Sequence, residues 1–195
     1  MLQPEEYQAF FNQAITYDQY LQDFENSLKS SDANPYTQYL PLNWQRTSRI
    51  NQQVTLKQTV AAALAQITKP IRWLVIVEHW CGDVSQSLPV IAKMAQAAQG
   101  HIDLRLAYRD QNPVLMDAHL TSGTSRSIPM LIQLDAEYRV SGTWGPRPAD
   151  AQSLVKKLKA DPSTANNYAE ELHRWYASDK QQAIQSELVT MLQKA

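Results

Sequence analysis

Apolar positions along this chain change their period several times, and each change predicts an element. Tyr7, Phe10, Ala14, Tyr17, Leu21, Phe24 and Leu28 recur every three and four residues, with Glu, Gln and Asp between them. That stripe predicts one amphipathic helix from residue 5 to about residue 30, with Pro4 in its first turn. The segment Ser30-Ser31-Asp32-Ala33-Asn34-Pro35 should break it. Residues 35 to 52 carry Tyr36, Tyr39, Leu40, Leu42 and Trp44 without a sustained period, and Pro35 and Pro41 suggest an irregular connection. Thr55 is placed to cap a helix whose face is Leu56, Val60, Leu64 and Ile67, ending at Lys69-Pro70. The run from Ile71 to Val77 is short enough to be a buried strand. Val84, Leu88, Ile91 and Ala95 then share one helical face, with Pro89 in their midst, until Gly100.

The second half begins with alternation at Ile102, Leu104 and Leu106, which predicts another strand. Val114 to Leu120 can form a short helix closed by Gly123. Met130–Leu134 and Arg139–Trp144 read as antiparallel strands joined around Asp135-Ala136-Glu137. Gly145-Pro146-Arg147-Pro148 forms a rigid loop, and Asp150 is placed to cap a helix carrying Leu154, Val155 and Leu158. Residues 163 to 194 look helical, anchored by Tyr168, Leu172, Trp175, Tyr176, Ile184, Leu188 and Leu192. Unbroken, that helix would be about 47 Å long. The order βαβ, helix, ββα predicts an α/β fold: a mixed sheet with helices on both faces and helical additions at each end.

Composition narrows the functional classes. A 44% apolar fraction suffices for a real core, and a net charge of −1 gives no electrostatic case for nucleic acid or an anionic membrane surface. One cysteine forbids an intrachain disulfide. The start Met-Leu-Gln-Pro-Glu-Glu lacks the basic and apolar regions of a signal peptide, and no apolar stretch is long enough to span a membrane. A soluble cytoplasmic protein is the expectation. The four histidines show no metal-ligand spacing with the cysteine, and no phosphate-binding glycine loop occurs.

That cysteine lies in Trp80-Cys81-Gly82-Asp83-Val84, at the junction of the buried strand and the Pro89 helix. A helix N-terminus favours a thiolate, whereas Asp83 opposes it. His79 could assist if it reaches the sulfur. Downstream come Ser127-Ile128-Pro129 before a strand, and Gly145 after the hairpin. On these residues the chain resembles the thioredoxin superfamily over roughly residues 53 to 160. It resembles more closely the bacterial thioredoxin-like proteins with a single-cysteine Trp-Cys-Gly-Asp motif and a late Gly-Thr-Trp-Gly-Pro-Arg-Pro segment. The resemblance implies a thioredoxin fold (residues 53–160) between an N-terminal helical extension (1–52) and a C-terminal one (161–195). It also implies a cis Ile128–Pro129 bond, catalytic Cys81, and a substrate-binding rim of Trp80, Gly82, Ile128, Pro129, Gly145, Arg126 and Arg147.

Two positions depart from the family pattern. The second cysteine would fall at Val84 and the family's buried acid at Val75. Dithiol turnover is therefore not expected. Two readings follow. In the first, Cys81 acts as a single thiol on a protein or small-molecule disulfide, with no bound cofactor or metal and a low-molecular-weight thiol as resolving co-substrate. Arg126 and Arg147 could then meet an anionic ligand, as could Arg46 and Arg49, which share a face if their segment is helical. In the second, the fold is a non-catalytic binding or oligomerisation module. The two terminal aromatic stripes are expected to pack on each other beside the core, leaving a strip that would support a weak homodimer.

Overall fold

The computed structural model describes residues 2–29 and 35–193. The expected break at residues 30–34 therefore lies outside the described residues. Four strands form one sheet: β1 (Ile71–Val77), β2 (Ile102–Tyr108), β3 (Met130–Leu134) and β4 (Val140–Trp144), in the order β2-β1-β3-β4. β1 is parallel to β2 and antiparallel to β3, which is antiparallel to β4. β1 is central, which explains its unbroken apolar run: Trp73 to Val77 are fully buried. This is the mixed α/β thioredoxin fold with helical extensions expected from the sequence. No helix among the described residues is long and apolar enough to cross a membrane.

The first helix is two helices, α1 (Pro4–Gln13) and α2 (Tyr17–Lys29). Ile15 lies between them as an extended residue bridged to Leu106, with N···O distances of 3.0 and 2.8 Å. The chain leaves the helix there to cover the outer edge of β2, an edge that would otherwise present unpaired backbone groups. The restart is written in Thr16-x-x-Gln19. The Thr16 amide donates to Gln19 Oε1 (2.9 Å) and the Gln19 amide to Thr16 Oγ1 (3.2 Å), a capping box.

The stretch after residue 35 is not irregular. A short 3-10 turn (Thr37–Tyr39) leads into α3 (Leu40–Gln53), which packs along α5 (Gly82–Ala97). The inward positions of α3 are Asn43, Thr47 and Ile50. Two of the three are polar, so the helical period is invisible to a hydrophobicity reading. Helix α4 (Gln58–Leu64) begins after Lys57 rather than at Thr55. Buried Gln185 fixes that entry: the Lys57 amide donates to its Oε1 (2.9 Å) and its Nε2 donates to the Thr55 carbonyl (3.2 Å).

A short α6 (Pro113–Asp117) follows β2, and α7 (Ala149–Ala160) follows β4. The N-cap of α7 is Pro148, not Asp150; Glu187 instead accepts from the Ala149 amide (2.8 Å) and from Trp144 Nε1 (2.6 Å). The last helix is also two, α8 (Tyr168–Asp179) and α9 (Gln182–Leu192). Lys180 and Gln181 both adopt left-handed backbone, and the Asp179 carboxylate accepts from the Ala183 amide.

The two terminal stripes therefore do not form a joint layer. Helices α1 and α2 pack on β2, α8 packs on α7, and α9 packs on α4, β4 and α5. Breaking each long helix lets the shorter pieces follow the curved surface of the sheet domain, where straight ones would overhang it. A roomy apolar cavity of about 990 Å³ lies between α4, α9 and the start of β1, at the end of the sheet remote from Cys81.

Candidate active site around Cys81

Cys81 is the N-cap of α5, with extended backbone (φ −83°, ψ 120°). Its thiol donates to the Ile128 carbonyl, Sγ···O 3.3 Å. The next peptide bond, Ile128–Pro129, is cis, and so is Gly145–Pro146. Gly145 has φ +137°, and a Cβ there would stand 2.2 Å from the Pro129 carbonyl oxygen. Only glycine allows this approach of the Gly-Pro-Arg-Pro loop to the Pro129 loop. Val84 and Val75 are fully buried, so apolar packing occupies both places where the family carries dithiol machinery.

Burial pushes the Cys81 thiol up to about 12, and the Asp83 charge adds to the rise; the Val84 and Asp83 amides at the helix start only partly oppose it. The resting sulfur is therefore a neutral thiol. His79 does not help. It points to the other side, stacked on Phe24 (centroids 4.4 Å apart) and bonded to the Tyr108 hydroxyl (3.1 Å). Burial lowers its pKa to about 4.

Asp83 is buried and committed. Arg147 Nε lies 3.1 Å from both carboxylate oxygens, Arg147 Nη2 closes a second bond, and the Tyr176 hydroxyl donates to Oδ1 at 2.6 Å. Arg147 also donates to Gln152 Oε1 (2.6 Å). Burial opposes the Arg147 charge, but the Asp83 bonds outweigh it and the guanidinium pKa is raised. Burial and the same carboxylate hold Tyr176 well above its ordinary value.

The outer face of the motif is covered by α3 and α8. Asn43 donates to the His79 carbonyl (3.2 Å) and accepts from Arg46 Nη1 (2.9 Å), fixing α3 to the motif. A Cβ at Gly82 would lie 2.9 Å from His173 Nε2 and 3.6 Å from Arg46 Nη1. Trp80 closes one side, stacked on Tyr36 at 4.6 Å and lying under the Arg109 guanidinium at 4.6 Å. No group of histidines, cysteines and carboxylates suited to a metal ion occurs among the described residues.

A family model described as thioredoxin (Thioredoxin_9) matches residues 10–159. The chain belongs to the thioredoxin family. Among solved structures, this thioredoxin-family chain is similar to a protein of unknown function from Pseudomonas aeruginosa. The two share 16% identity over 94% of this chain and 95% of that one, with a TM-score of 0.68. It is also similar to an HIV epitope-scaffold, at 15% identity over 97% and 98% of the two chains and a TM-score of 0.63. At these identities the likeness shows the fold. No curated protein matches.

Within this thioredoxin fold, Cys81, Gly82, Ile128, Pro129 and Gly145 are gathered at one end of the sheet. The arginines divide differently from the sequence reading. Arg126 is exposed and held by Asp117 through bonds of 2.7 and 2.6 Å. Arg147 lies behind the motif in the Asp83 cluster. Arg46 is the one brought over Gly82, while Arg49 stays exposed. Sequence reasoning missed Asn43, Gln86, His173 and Tyr176 as neighbours of the motif. Asn43 arrives from α3 and His173 and Tyr176 from α8 by packing, which nothing in the sequence marks; Gln86 lies on α5 itself, as a buried polar position of the motif helix.

Proposed function

We propose that this protein is a single-thiol thioredoxin-like protein that forms mixed disulfides through Cys81. The observation that carries this reading is the placement of Cys81 Sγ at the start of α5, 3.3 Å from the Ile128 carbonyl beside Pro129. A disulfide laid along that loop has its sulfur next to the only thiol of the chain. In the reaction, Cys81 gives its proton to solvent and its thiolate attacks one sulfur of the disulfide. The S–S bond breaks, and the departing sulfur leaves as a thiolate that takes up a proton. Val84 supplies no second thiol, so a small external thiol attacks the mixed disulfide at Sγ, frees the substrate half still held there as a thiolate that takes up a proton, and is itself left bound to Sγ. A second external thiol then regenerates Cys81 and leaves as the external disulfide. The two electrons come from two external thiols. The proposal places the reaction in the bacterial cytoplasm.

Burial and the Asp83 charge keep the Cys81 thiol protonated at neutral pH. Exchange is slow at rest and rises about tenfold per pH unit. The test is native-state alkylation by iodoacetamide from pH 6 to 10, with mass spectrometry of the 1:1 adduct formed with 2,2′-dithiodipyridine. A rise in rate of about tenfold per pH unit and a single adduct are expected.

The raised thiol and the averted His79 favour a second reading, a non-catalytic binding module. Complete protection of Cys81 in the folded protein, with labelling only in urea, would decide for it.

A further inference from the structure

The cavity between α4 and α9 takes no part in the thiol chemistry. It lies where β1 begins, whereas Cys81 follows the end of that strand. Its volume of about 990 Å³ stands at the upper end of the roughly 300–1,000 Å³ usual for small-molecule sites. Its floor is apolar: Ala62, Ala63 and Ile67 from α4 and the turn after it, Ile71 from β1, and Val189 and Leu192 from α9. Its rim is open to solvent, for Gln66, Thr68, Lys69 and Glu137 on it are all exposed.

The walls are held in place. Gln185 on α9 bonds the Thr55 carbonyl and the Lys57 amide, and Lys57 Nζ donates to the Gln182 carbonyl (3.3 Å) and to Ser186 Oγ (3.4 Å). Those bonds tie the starts of α4 and α9 together, and buried Val60, Leu64 and Leu188 anchor both helices in the main core. Ala62 and Ala63 end at Cβ, so the α4 wall leaves the cleft unfilled, and a ligand meets a space already formed. Charge at the rim is uneven. Asp135 Oδ1 accepts from the Glu137 and Arg139 amides (2.9 and 2.8 Å), and Arg139 Nη1 lies 3.9 Å from Asp135 Oδ2 and 3.7 Å from Glu137 Oε2. Both acids on the lining therefore have partners. Lys69 is the one cation on the lining, and it makes no ion pair with any described residue.

We propose that this cleft binds a fatty acid, with the acyl chain on the apolar floor and the carboxylate at Lys69. The ligand class follows from the lining. A long apolar floor recognises a hydrocarbon chain through the area it removes from water, and one unpaired cation at the mouth selects a single negative head. Binding here is independent of the single-thiol reading, because no residue of the cleft touches the motif.

The test titrates the full chain with sodium dodecanoate, below the concentration at which it forms micelles, and reads binding by calorimetry. Saturable binding at a single site is expected. Affinity should rise from octanoate through decanoate to dodecanoate, by up to about fourfold for each CH₂ buried. Lys69→Gln should weaken dodecanoate by up to about fivefold, the range of an exposed ion pair, and Lys69→Glu should turn the preference toward dodecylamine. Ala62→Trp places a large side chain in the cleft from an exposed helix position, and should weaken dodecanoate at least about tenfold while circular dichroism shows the fold retained. Lys156→Gln removes an exposed charge on α7, away from the cleft, and should change nothing. Three results each overturn the site: no saturable binding; affinity independent of chain length; or unchanged affinity in a folded Ala62→Trp protein. Dodecylamine binding the unmodified protein as tightly as dodecanoate overturns the assignment of a carboxylate head. None of these readouts uses Cys81, so their failure leaves the single-thiol reading where it stands.

Discussion

Asp83→Asn should make the protein less stable and its cysteine more reactive at once. The side chains of Asp83 and Arg147 are only 9% and 15% exposed. Asparagine keeps the shape of aspartate, but its amide nitrogen cannot accept from Arg147, and the guanidinium is left buried without its counter-charge. Removing one partner of a buried pair costs roughly 3–5 kcal/mol. For a domain of this size each kcal/mol moves Tm by about 2–4 °C, so a fall of roughly 10 °C is expected by calorimetry. The same change removes one of the two forces that raise the Cys81 thiol and leaves the Arg147 charge to favour the thiolate. Iodoacetamide labelling at pH 8, far below Tm, should then accelerate by up to about tenfold, one pKa unit of thiolate. Low urea should leave that rate unchanged, which separates a tuned thiol from one exposed by unfolding. Replacing the pair together, Asp83→Leu with Arg147→Met, should cost less than the two single changes added. An unchanged Tm, or slower labelling in Asp83→Asn, would refute the reasoning.

Three further outcomes are expected. Gly145→Ala should unfold the protein or lower its stability by at least roughly 2 kcal/mol, because its Cβ would stand 2.2 Å from the Pro129 carbonyl at φ +137°; a denaturation curve checks it. Gln185→Leu should cost about 2–4 kcal/mol in urea unfolding, since the Lys57 amide and the Thr55 carbonyl each lose a partner. His79 and His173 are both lowered to about 4 from 6.5, so their stabilising effect is full above pH 6.5 and is lost as pH falls toward 4. Between pH 7 and 5 each should remove about 2 kcal/mol; His119, also lowered by burial, adds to the fall, so His79→Phe should reduce that slope of the urea midpoint without abolishing it.

The strands and the motif helix were legible because their side chains obey simple periods. β1 is apolar on both faces and α5 carries Val84, Leu88 and Ile91 inward. The misreadings fall where polar groups take over an apolar task. Helix α3 buries Asn43 and Thr47, so its period vanishes from a hydrophobicity pattern although the helix is real. The breaks at Ile15 and at Lys180-Gln181 interrupt stripes that continue beyond them. The first is set by the bare edge of β2, a partner 91 residues away in the sequence; the second by two left-handed residues and an Asp179 cap. The capping box Thr16-x-x-Gln19 lies inside a continuous aromatic stripe, which hides it from a reading by apolar period. At the site, Cys81, Ile128, Pro129 and Gly145 could be named from the resemblance. The ion pair of Asp83 with Arg147 joins residues 64 apart and was not foreseeable from either neighbourhood.

The helices outside the sheet do more than cover it. Arg46 and Asn43 on α3, and His173 and Tyr176 on α8, all reach the three residues Cys81-Gly82-Asp83 or the loop before them. The electrostatics of the thiol is therefore set by elements that a bare strand–helix motif would lack. Tyr176 and Arg147 fix the carboxylate that, after burial, does most to keep the sulfur protonated. Arg46 and His173 close over Gly82, where a Cβ would stand 3.6 Å from Arg46 Nη1 and 2.9 Å from the His173 ring, so both helices hold the motif backbone in place. Changing either α3 or α8 should move the reactivity of a sulfur that neither helix carries.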